Sequence, residues 1–132
     1  MKKIKDIRAN TTSYGENYIL DNQLTGRILI SEDNTFEGII FHGEDSFLVL
    51  GNISNKNIEM LQKDENGNKL FRVQKDGETY YGDCFIKEND FEYPIGESIM
   101  SITEPNSFRK PYILNEIEEI EEQIKSKKST RK

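Results

Sequence analysis

The connections between this chain's apolar runs are too short to join anything but antiparallel neighbours. From residue 25 to residue 103 the apolar side chains fall in brief stretches of period-two alternation, separated by a few residues rich in Gly, Asn and Asp. Such alternation marks half-buried strands, and a parallel crossover would need a dozen or more residues in each connection. An antiparallel meander is therefore predicted, with about eight strands near residues 17–20, 25–31, 35–42, 46–52, 57–62, 69–74, 78–86 and 97–103. Asn66-Gly67 and Asp76-Gly77 are the strongest turn signals, because Asn, Asp and Gly accept the positive φ of hairpin turns. Gly26, Gly38, Gly51 and Gly82 fall inside strands, where interior glycine points to bends, bulges or close backbone approach. The predicted fold is mainly β, a small barrel or strongly coiled sheet, with one C-terminal α-helix.

That helix is expected over about residues 115–125. Asn115 stands at the N-cap and Glu118 at the capping-box position, and the glutamates come early and the lysines late, complementing the helix dipole. Ile117, Ile120 and Ile124 share one face. The stripe requires a cover, either the sheet or a protein partner, since a helix this short is marginal alone in water. Residues 126–132 carry no apolar side chain and are expected to form a disordered basic tail. A chain of 132 residues is the size of one domain, placed here at residues 1–125. Only 34% of residues are hydrophobic and 32% are charged, so the core must be thin, as a small barrel allows.

A meander with glycines in its strands, spanning about residues 17–103, resembles the calycin-like architecture of lipocalins, fatty-acid-binding proteins and avidins. The absence of Trp departs from the lipocalin and avidin pattern. Tyr81-Gly82 and Phe36-Glu37-Gly38 are also similar to pieces of MORN-type repeats, without their regular spacing. The resemblance implies a fold; it carries no function across, because one fold hosts many.

The net charge of −6 is unevenly placed. Residues 1–8 are basic, and the five glutamates of residues 116–122 cancel the five basic residues of 125–132, so the acidity lies in the body between. An acidic body disfavours nucleic acid, whose phosphates need lysine and arginine. The N-terminus lacks an apolar run after its charges, so no signal peptide is expected, and no segment approaches the ~20 apolar residues of a membrane span. A single cysteine, Cys84, rules out an internal disulfide and suggests a reducing compartment, the cytoplasm.

No catalytic constellation stands out. His42 is the only histidine, so a Cys/His or Ser/His/Asp arrangement has no other base. On their strands His42 shares a face with Phe36, Gly38 and Ile40, and Cys84 with Tyr80, Gly82 and Ile86. One His and one Cys cannot build a structural zinc site, and residues 64–68 lack the spacing of an EF-hand loop; neither metal nor cofactor is expected. The sequence therefore favours a binding domain over an enzyme. The first reading is a barrel whose interior or mouth takes a small apolar or amphipathic ligand, with Phe36, Ile40, His42, Tyr80 and Cys84 as candidate ligand-binding residues. Such a ligand calls for a cavity of roughly 300 Å³ or more, and if the barrel is filled by side chains this reading is to be abandoned. The alternative is an acidic regulator or inhibitor that binds a basic protein partner, with Ile117, Ile120 and Ile124 as candidate contacts.

Overall fold

The computed structural model describes residues 2–13, 22–65, 67–105 and 113–129. Eight strands follow one another as β1 (Lys3–Ser13), β2 (Asn22–Ile30), β3 (Thr35–His42), β4 (Asp45–Ile53), β5 (Asn57–Gln62), β6 (Asn68–Asp76), β7 (Thr79–Glu88) and β8 (Phe91–Thr103). Each pairs antiparallel with its successor, and β1 pairs antiparallel with β8, so the meander closes into a barrel. Closure leaves no sheet edge. Gly77 (φ 66°) and Gly67 (φ 116°) sit in the expected turns. The turn between β2 and β3 is fixed by the Asp33 carboxylate, which accepts from the Thr35 hydroxyl at 2.7 Å and the Thr35 N–H at 3.1 Å. Those two bonds, the hydroxyl first, hold the Asp33 carboxyl below its ordinary pKa.

Two differences from the sequence expectation concern strands. The expected strand at 17–20 lies outside the described residues, and the strand that completes the barrel is β1. Its side chains are mostly charged or polar, so alternation is faint; what makes it a strand is backbone pairing on both sides, with Ile30–Asn22 and with Thr103–Gly96. The last strand begins at Phe91 rather than near residue 97. Cys84 faces Gly96 while Phe85 faces Pro94, so Ile95 is the extra residue of a β-bulge, and a bulge is where a sheet tolerates a proline.

The wall carries apolar side chains on both faces over part of its circumference. Inward, Ile7, Ala9, Leu24, Ile28, Phe36, Ile40, Val49, Ile58, Met60, Phe71, Val73, Tyr80, Cys84 and Met100 form one cluster. Outward, Ile4, Leu29, Ile39 and Leu48 form a second with Ile120 and Ile124, packed by Leu50 and Ile117. This is why Ile28-Leu29, Ile39-Ile40 and Leu48-Val49 read as continuous apolar pairs: strands covered on both faces lose clean alternation.

Helix α1 (Ile113–Ser129) supplies that outer cover. It begins before Asn115, which stands in its first turn and not at the cap, and it continues past Lys125. Residues 126–129, expected in a disordered tail, are helical because they have partners on the barrel. Lys127 Nζ donates to the Ser46 carbonyl at 2.8 Å and Lys128 pairs with Glu37. Upstream, Glu116 pairs with Arg27 at 3.1 Å and Glu121 with Lys2 at 3.2 Å. No helix among the described residues is long and apolar enough to cross a membrane.

Candidate ligand site at the barrel mouth

The inward face of the wall changes character along the barrel axis. At the end carrying the β2–β3, β4–β5 and β6–β7 turns, Phe36 and Tyr80 plug the interior, and the Tyr80 hydroxyl donates to the Ser54 carbonyl at 3.2 Å. At the opposite end, the inward series of five strands turn from apolar to polar. On β1 the order is Ile7, Ala9, Thr11; on β3 it is Ile40, His42; on β5 it is Ile58, Met60, Gln62. β6 repeats the pattern in reverse with Lys69, Phe71, Val73, as does β8 with Ser98, Met100. Five strands thus bring polar groups to one end, the mouth.

Those groups surround a recess of about 90 Å³. Thr11, His42, Gln62, Lys69 and Cys84 supply its polar and thiol surface, and Leu24, Phe47, Phe71 and Ile95 its apolar walls. Gln62 is 1% exposed, and its carbonyl oxygen has no hydrogen-bond partner among the described residues. Burying an acceptor without a donor costs about 1–3 kcal/mol. Lys69 stands directly opposite Gln62 across the β5–β6 ladder, half-buried, and forms no ion pair with any described residue. Thr11 Oγ1 lies 3.4 Å from Ser98 Oγ, and both residues are buried. Ile86 follows Cys84 on the inner face of β7; its partner Tyr93 is exposed and stacks with Phe91 at 6.1 Å between ring centroids, a platform beside the opening.

Of the residues expected to bind a ligand, Phe36, Ile40, Tyr80 and Cys84 do meet, inside one packed cluster. Side chains therefore fill the space in which an enclosed apolar ligand would lie, and the recess at the mouth is far below roughly 300 Å³, so the reading of an apolar ligand held inside the barrel is abandoned. His42 and Cys84 border the recess at the mouth, whereas Phe36 borders a separate recess of about 260 Å³ beside Leu29, Leu50 and Ile124. The stripe expected to meet a partner is taken internally: Ile120 and Ile124 are 3% and 6% exposed beneath α1. Sequence reasoning missed Thr11, Gln62 and Lys69. Gln62 was legible as the one polar residue continuing the buried face of Ile58 and Met60.

Cys84 forms a buried wall of the recess. Burial pushes its thiol from near 9 up to about 11, with Lys69 opposing weakly. The protonated thiol is thus favoured by the folded state: its stabilisation is complete below the unfolded value near 9 and is lost as pH rises toward 11. The loss amounts to about 3 kcal/mol. Denaturant titrations across this range should show Cys84→Ala with a shallower alkaline decline than the parent; parallel declines would mean that the thiol is not buried.

A larger cleft, of about 600 Å³, lies between α1 and the outer faces of β1–β3. Of its charges, Arg27 pairs with Asp6 at 3.7 Å and with Glu116 of α1 at 3.1 Å. No group of three or more His, Cys, Asp or Glu side chains among the described residues is arranged to hold a metal ion. Compared with known proteins, the chain matches no family model, no curated protein and no solved structure at a significant level.

Proposed function

We propose that this barrel is a non-enzymatic, calycin-like binding domain that receives the polar end of a small amphipathic ligand at its mouth. The observation that carries the reading is Gln62, a buried acceptor without a donor, facing the recess. Proteins rarely leave such a group unmatched, and binding sites pair an apolar lining with a few convergent polar groups. The filled interior restricts the ligand to a small polar terminus within the wall, with its apolar remainder beside the rim near Phe91 and Tyr93. A lone buried cysteine accords with a reducing compartment, the cytoplasm.

Chemical-shift mapping against a set of small amphipathic molecules tests this. Saturable shifts should converge on Thr11, Gln62, Lys69 and Cys84 and change little with ionic strength, since an apolar-walled recess is nearly indifferent to screening. Shifts confined to the α1 cleft or the outer wall, or binding that collapses as salt rises, would favour the acidic regulator of a basic partner instead.

A further inference from the structure

We infer that the group received by the mouth is a carboxamide, an identification that rests on the reading of the mouth as a ligand site. Gln62 and Lys69 are register partners at the mouth end of the β5–β6 ladder, and side chains directly opposite one another start about 5 Å apart. One ligand group can therefore touch both. Gln62 presents a carbonyl oxygen with no partner among the described residues, which calls for a donor. Lys69, half-buried at the recess, presents an ammonium that pairs with no described carboxylate and can donate to an acceptor placed there.

Charge then eliminates the simpler candidates. A carboxylate satisfies Lys69 but offers no proton to Gln62, and the loops at this end of the barrel carry Glu44, Asp45, Asp64, Glu65 and Glu88 against Lys63, Lys87 and Lys127, five acids to three lysines, so their balance is mildly acidic. An alkylammonium satisfies Gln62 and the rim but is repelled by Lys69. A neutral carboxamide meets both demands at once: its N–H donates to Gln62 Oε1 and its carbonyl accepts from Lys69 Nζ. Thr11 adds a hydroxyl of either sense. The recess of about 90 Å³ equals about three waters of liquid volume, enough for an amide and its first carbon, which Leu24, Phe47, Phe71 and Ile95 would enclose.

Three probes of equal chain length, butyramide, butyrate and butylammonium, decide the matter by shift titration of the full chain. Butyramide should saturate the mouth resonances at about 10 mM or below, with the two charged probes at least about tenfold weaker. Gln62→Leu and Lys69→Met should each weaken butyramide by about tenfold, and the second variant keeps the test available if the first is poorly folded. Butyrate or butylammonium binding at the mouth as tightly as butyramide would overturn the carboxamide and leave the mouth site standing. If none of the three shifts the mouth resonances, both the carboxamide and the mouth site fall.

Discussion

Gly82→Ala is expected to lower the stability of the protein by about 3 kcal/mol or more, although it adds a single methyl group. A Cβ at Gly82 would stand 2.0 Å from the Arg72 carbonyl oxygen and 2.8 Å from the Val73 Cα. Both obstacles belong to the neighbouring strand's backbone, so no side chain can swing aside; β6 and β7 would have to separate. Gly77→Asn serves as the control, because Gly77 has open space around its Cβ position and φ of 66°, which Asn adopts readily. Denaturant unfolding should show a much lower midpoint for Gly82→Ala at unchanged slope. A midpoint within error of the parent would mean that the strands do not approach as described.

Ile120→Asp should cost about 4 kcal/mol, a large share of the 5–15 kcal/mol of a typical domain. The side chain is buried among Ile4, Leu29, Ile39 and Leu48, and burial of a large aliphatic group contributes about 1.5–3 kcal/mol. The substitution forfeits that and places a carboxylate in a site 3% exposed among apolar side chains, where burial disfavours the charge. Glu118→Lys, on the exposed face, should be near neutral. A variant Ile120→Asp that melts with the parent would show that α1 is not docked, and would return the isoleucine stripe to the list of partner surfaces.

The barrel was legible because alternation and short connections admit few alternatives: β3, β5 and the turns at Gly67 and Gly77 fall where the sequence places them. β1 was not, because its residues are ordered by ladders to β2 and β8, which leave no local signature in a mostly polar stretch. The start of β8 was hidden by Pro94 and a bulge. The extent of α1 was underread because Lys127 and Lys128 gain partners only when Ser46 and Glu37 are brought beneath them. The mouth was partly legible. His42 and Cys84 were singled out, whereas Gln62 and Lys69 become neighbours through register alone.

On the proposed reading, the acceptor of Gln62 left unmatched among the described residues gives up stability for recognition. The most direct test is the stability of ligand-free Gln62→Leu against the parent. Replacing the amide by an apolar group of similar length removes the uncompensated burial, worth about 1–3 kcal/mol. The account predicts a variant that melts several degrees higher and binds butyramide at the mouth about tenfold more weakly. A variant that melts at or below the parent's temperature would mean that Gln62 is satisfied in the resting protein, and the mouth would lose the feature that marks it as a site.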